Sequence, residues 1–158
     1  MKVLYWFIGI LALAGCSLER AEGPGAPVPA PIQQGISGTV EFWEGDFMPT
    51  AYPQVPGGTV TSVVREVRIH EAARMYDVTF SSPGGFFSEI RTPLVASVES
   101  ADDGQFAVNL PAGTYSLFVV EDGRFYANRM SQEFIQPVTV DRGKVALIRL
   151  KIDYLATY

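Results

Sequence analysis

Four stretches of this chain alternate apolar and polar residues with a period of two, and that period leaves little room for anything but half-buried β-strands. In "ISGTVEFW" it puts Ile36, Val40 and Phe42 on one face, and in "VVREVRIHE" it turns Val67 and Ile69 inward. "QFAVNL" sets Phe106, Val108 and Leu110 against Gln105, Ala107 and Asn109. "VALIRLKID" sets Ala146, Ile148, Leu150 and Ile152 against Arg149, Lys151 and Asp153. "TYSLFVV", Thr114 to Val120, is apolar on both faces and reads as a central strand. Asp103-Gly104, Asp122-Gly123 and Arg142-Gly143 fall between these segments, where a tight hairpin needs a residue at positive φ. Short strands separated by such turns predict an all-β antiparallel sandwich of about seven strands. Asp46 to Gly58, with three prolines and a Gly-Gly, reads as a long loop, and "HEAARMY" as a site for one helical turn.

The sandwich must hold together without disulfides, because the chain has one cysteine, Cys16. That cysteine follows Lys2 and the apolar run Val3 to Ala14. The run is shorter than the ~20 residues that span a bilayer and fits the core of a secretory signal. Leu13-Ala14-Gly15-Cys16 resembles the bacterial lipoprotein box, in which small residues admit a peptidase and the thiol takes a lipid. The resemblance implies cleavage between Gly15 and Cys16, then a covalent diacylglycerol and an N-acyl chain on Cys16. Several acyl chains hold a protein on a membrane stably. Ser17 is not the aspartate that such lipoproteins use for retention in the inner membrane, which implies an outer-membrane location in the bacterial envelope.

Domain boundaries follow from composition. Residues 1–15 read as the signal peptide, 16–35 as the lipidated cysteine with a tether, and 36–158 as one domain. The tether carries Pro24, Pro27, Pro29 and Pro31, which favour extended polyproline II and oppose helix. The domain, at about 120 residues, is large enough to bury a core. The formal net charge is −5, and no basic cluster interrupts it, which argues against nucleic acid as a partner.

One region carries a family resemblance. "ESADDGQFAVNLPAGTYSLFVVEDGRFY", Glu99 to Tyr126, contains Asp103-Gly104-Gln105-Phe106 followed by Pro111-Ala112-Gly113-Thr114-Tyr115. With Gly38-Thr39-Val40 upstream, it resembles the carboxypeptidase regulatory-like domain, covering roughly Gly38 to Ile152. That resemblance implies a transthyretin/prealbumin-like Greek-key β-sandwich, with Asp46–Gly58 and Tyr76–Pro93 as insertions. Within that motif Tyr115 is expected, on structural grounds alone, to open the central strand with its hydroxyl satisfied near the sandwich end. Hydroxyisourate hydrolase, an enzyme of transthyretin-like fold, depends on several histidines and a C-terminal Tyr-Arg-Gly-Ser. This chain has only His70 and ends in Leu155-Ala156-Thr157-Tyr158, so that activity is not expected.

Other chemistry is thin. One histidine and one cysteine do not make a zinc site, and no metal or other cofactor is expected. His70 follows Glu66 and Arg68 on the polar side of the alternation and reads as part of a solvated strand face. Asp102 and Asp103 read as turn formers, and Glu121 and Asp122 as hairpin residues, so no catalytic residue is assigned. What remains is aromatic. Trp43, Phe47 and Met48 in "WEGDFMP", with Phe125 and Tyr126 after the Asp122-Gly123 turn, fall in apparent loops. Rings and Met anchor ligands well because each buries much apolar area. These five are the candidate binding residues. The sequence thus points to a lipid-anchored, non-catalytic binding or assembly module with an envelope protein or glycan as partner. The alternatives are a hydrolase or its accessory subunit, and a glycan-binding lipoprotein in nutrient uptake.

Overall fold

A computed structural model describes residues 31–49 and 57–158. The signal segment 1–15, the cleavage pair Gly15 and Cys16, and the tether up to Ala30 lie outside the described residues. So does the middle of the Asp46–Gly58 stretch.

The chain forms an all-β sandwich, as the alternation predicts. Its strands are β1 (Gly35–Asp46), β2 (Gly57–Ser62), β3 (Glu66–Glu71), β4 (Val78–Ser81), β5 (Phe86–Ile90) and β6 (Leu94–Glu99). They continue with β7 (Gln105–Asn109), β8 (Gly113–Glu121), β9 (Arg124–Tyr126), β10 (Pro137–Val140) and β11 (Val145–Thr157). The smaller sheet runs β11-β1-β2, with β7 paired to β1 in line with β2. The larger runs β4-β5-β9-β8-β3-β6, with β10 on β8. Strands therefore outnumber the expected seven. The Tyr76–Pro93 stretch supplies two of them, β4 and β5, which form a hairpin after a 3-10 turn at Met75–Asp77. One pairing is parallel, β1 with β11.

The period-two faces meet in the middle. Ile36, Val40, Val67, Ile69, Phe106, Leu110, Leu117, Leu150 and Ile152 make one buried cluster between the sheets. Turn chemistry works as read: Asp122 (φ 49°) and Gly123 (φ 74°) both take positive φ between β8 and β9. Asp103 caps its own turn by accepting the Gln105 amide at 2.9 Å. Tyr115 donates its hydroxyl to the Pro111 carbonyl at 2.9 Å, as expected.

The central strand β8 also has a second buried face. Leu117 and Val119 point into the sandwich, whereas Phe118 points out and is nonetheless fully buried. It packs with Ala73, Val78, Phe87, Ala127 and Ile135 under the strap formed by residues 127–136. Backbone bonds hold the strap down: Ile135 donates to the Ala73 carbonyl, and Ala73 donates to Ser116 Oγ at 2.8 Å.

Candidate functional site

The structure divides the five candidate residues among three places. Trp43 lies in β1, on the outer face of the smaller sheet, and its ring meets that of Phe47 at 4.9 Å. Phe47 stacks in turn on Tyr158, 5.9 Å away at 25°. Met48, next in the chain after Phe47, is exposed, its amide capped by Asp46 Oδ1 at 2.8 Å. The Trp43, Phe47 and Tyr158 rings form one surface cluster.

Tyr126 corrects the loop assignment. It sits in β9, is 3% exposed, and packs its ring against Phe86 and Tyr154 in the sandwich core. Phe125, also in β9, points to the opposite side of the larger sheet, against Phe118 and beneath the Arg68 guanidinium. Alternation along a strand separates the pair, and a loop reading had put them together. Phe86 and Phe87, in the neighbouring β5, are buried as well.

Only the hydroxyl of Tyr126 reaches the cluster. It donates to Asp153 Oδ1 at 2.7 Å, and Asn128 Nδ2 donates to the same oxygen at 2.6 Å. On the other carboxylate oxygen, Tyr158 donates at 2.9 Å and the Lys151 ammonium lies at 3.3 Å. Burial disfavours the Asp153 carboxylate, but these donors outweigh it and hold its pKa below the ordinary value. Burial, reinforced by the bond to Asp153, pushes the Tyr126 hydroxyl well above the usual tyrosine range.

Lys151 is the centre of the arrangement. Its Nζ lies 4.0 Å from the Trp43 ring centroid and 4.1 Å from that of Tyr158, a cation held between two aromatic faces. Burial opposes its charge, but bonds to Tyr158 and Asp153 prevail and raise its pKa. The rim is polar: Trp43 Nε1 donates to Glu41 Oε2 at 3.1 Å, and Arg149 Nε lies 3.1 Å from Glu41 Oε1.

Two backbone features shape the cluster. The β1–β11 register shifts between Phe42 and Glu44, so that Asp153 and Tyr154 together oppose Trp43. This bulge lets Asp153 serve the outer cluster while Tyr154 packs on the core. Gly57-Gly58, read as loop, belongs to β2, and the Phe47 ring lies over Gly58. A Cβ at Gly58 would sit 2.4 Å from ring atoms of Phe47.

His70 corrects the solvated-face reading. It is 6% exposed, with its ring edge-on to Phe118 at 5.8 Å. Nδ1 donates to the Thr92 carbonyl at 2.9 Å, while Nε2 is buried with no hydrogen-bond partner. Burial chiefly, with the nearby Arg68 charge, lowers its pKa below the ordinary value, although the Thr92 bond works the other way. The folded chain therefore binds that proton less readily than the unfolded chain. Stability is fully present above about pH 6.5 and falls as pH drops through the window below it. Urea unfolding between about pH 7.5 and 5 should show this slope, and His70→Gln should flatten it. An unchanged slope in the variant would assign the acid sensitivity elsewhere.

Among the described residues, no group of three or more His, Cys, Asp or Glu side chains is placed to hold a metal ion. No family model matches the chain, and neither a curated protein nor a solved structure is similar to it.

Proposed function

We propose that this chain is a lipid-anchored, non-catalytic binding or assembly module of the bacterial envelope, on the outer membrane, with its site at the Trp43–Phe47–Tyr158 cluster. The observation that carries the reading is the run of three rings, Trp43, Phe47 and Tyr158, two of which enclose Lys151 beside Asp153. An aromatic surface with a polar rim supplies apolar area for affinity and fixed donors for orientation. His70 sits under Phe118 and presents no nitrogen to a substrate at that face. The lipoprotein box supplies the anchor, and the Asp-Gly-x-Phe and Pro-x-Gly-x-Tyr motifs suit a carboxypeptidase regulatory-like sandwich. A second reading, glycan binding, draws on the same cluster: Glu41 and Arg149 flank Trp43 as hydroxyl partners flank a ring that stacks on a sugar.

The chain has two tryptophans, Trp6 and Trp43. Removal of residues 1–15 leaves Trp43 alone, so its emission reports on the cluster directly. Titration with envelope oligosaccharides, peptidoglycan fragments and envelope-protein peptides should give a saturable shift with one of these classes. Phe47→Ala should weaken that binding about tenfold or more while the thermal midpoint stays nearly unchanged. A shift that survives Phe47→Ala, or no saturable ligand in any class, would overturn the site. In the anchoring arm, a clickable fatty acid should label wild type and leave Cys16→Ala unlabelled. Equal labelling would remove the anchor from the reading.

A further inference from the structure

The strand β2, Gly57–Ser62, reads Gly-Gly-Thr-Val-Thr-Ser and is exposed along nearly its whole length. One edge pairs with β1, from Glu41↔Ser62 to Asp46↔Gly57. Its other edge has no strand beside it among the described residues. Edge strands usually carry a charge, a proline or a bulge that prevents pairing with another chain. β2 carries none of these: its register with β1 is unbroken and its side chains are uncharged.

The phase of the ladder shows which groups face outward. The Val63 amide donates to the Val40 carbonyl at 3.2 Å, in the same register as the β1–β2 pairs. Hydrogen-bonded and non-bonded pairs alternate along an antiparallel ladder. Thr61 and Thr59 therefore bond to β1, while Ser62, Val60 and Gly58 present their N–H and C=O groups to the free edge. These three are symmetric about Val60.

We infer that β2 pairs antiparallel with β2 of a second copy of this chain, about a two-fold axis at Val60, joining the two smaller sheets. In this register Val60 faces Val60 of the copy, Gly58 faces its Ser62, and Ser62 faces its Gly58. Every outward backbone group is then bonded. Thr59 meets Thr61 of the copy, a pairing that stabilises neighbouring strands, and no like charges oppose. Shifting the centre to Thr59 leaves the outward groups of Ser62 without their partners in β2 and is disfavoured. One short strand covers less area than the ~1,200 Å² of a stable interface, so the dimer is weak and concentration-dependent. The inference does not depend on what the aromatic cluster binds.

The test uses the full chain in mild detergent with Cys16→Ser, so that an introduced cysteine is the only thiol. Val60→Cys should form a disulfide-linked dimer under mild oxidation. Ser62→Cys should not, because two Ser62 positions lie about 13 Å apart, four residues at roughly 3.3 Å each. In sedimentation equilibrium, Val60→Lys should raise the dimer dissociation constant about tenfold or more. Leu147→Lys, on β11, should leave it unchanged. A monomer at all concentrations, or equal crosslinking at both positions, would overturn the inference, as would a dimer indifferent to Val60→Lys. Should Val60→Lys lose its β-sheet circular dichroism, the crosslinking pair decides alone.

Discussion

Phe118→Ala is expected to lower the unfolding free energy by about 3–5 kcal/mol, the range for emptying an aromatic site in a packed interior. Phe118 is fully buried although it projects from the outer face of β8. Its ring meets Phe87 at 5.7 Å, His70 at 5.8 Å and Phe125 at 6.4 Å, each edge-on, so removal forfeits aromatic contacts as well as apolar area. The strap over it is tied by directional backbone bonds, which restrict collapse into the cavity. Phe106→Ala, in the cluster between the sheets, should fall in the same range. Tyr76, 66% exposed, is the control, and its replacement by alanine should change stability by no more than about 0.5 kcal/mol. Urea unfolding by circular dichroism measures all three. A loss below about 1 kcal/mol for Phe118→Ala would mean that the strap yields and that the second cluster is not a core.

That second cluster marks where sequence reading stopped. Alternation located the inward residues of β1, β3, β7 and β11, because polar residues occupy the opposite face of each. It also marked β8 as central, since Leu117 and Phe118 are adjacent and both apolar. It did not reveal what covers the outer side of β8. The strap sequence "ANRMSQEFIQ" is largely polar and has no period. Its contribution rests on Ala127 and Ile135, and on Gln136, whose side chain accepts the Arg129 amide at 3.1 Å. The burial of His70 is hidden in the sequence for the same reason: alternation gives the face of a strand but not whether another segment lies over that face.

The site was legible to a similar extent. Trp43 and Phe47 are close in sequence and meet in space. Lys151, Asp153 and Tyr158 looked like the wet side of a strand and its end. Only the parallel pairing of β1 with β11 brings them to Trp43, and only the bulge at Asp153–Tyr154 aims the carboxylate at Tyr126 and Tyr158. Parallel pairing joins segments about 110 residues apart, beyond the reach of local pattern.

Arg65→Met is expected to cost about 3 kcal/mol, and the reason is the carboxylate it abandons. Glu121 ends β8 at the hairpin and is 4% exposed. It accepts from Arg65 Nε and from the Tyr154 hydroxyl, the latter at 3.0 Å. Burial first, and then the charge and hydrogen bond of Glu121, raise the pKa of Tyr154, so that its hydroxyl remains a donor at neutral pH. Removing the guanidinium leaves an ionised group in a dry site, which typically costs about 3–5 kcal/mol; the lower end applies because the Arg65 side chain is 35% exposed and water can replace part of it. Replacing both partners removes the stranded charge, so Arg65→Met with Glu121→Leu should recover to within about 1 kcal/mol of wild type. The Arg74–Glu133 pair, with side chains 43% and 56% exposed, supplies the contrast: Arg74→Met should change stability by no more than about 1 kcal/mol. Chemical denaturation of the three variants beside wild type distinguishes the cases. If Arg65→Met costs no more than Arg74→Met, water already reaches Glu121; if the double variant is no more stable than Arg65→Met, the loss comes from the packing of the Arg65 side chain and not from its charge.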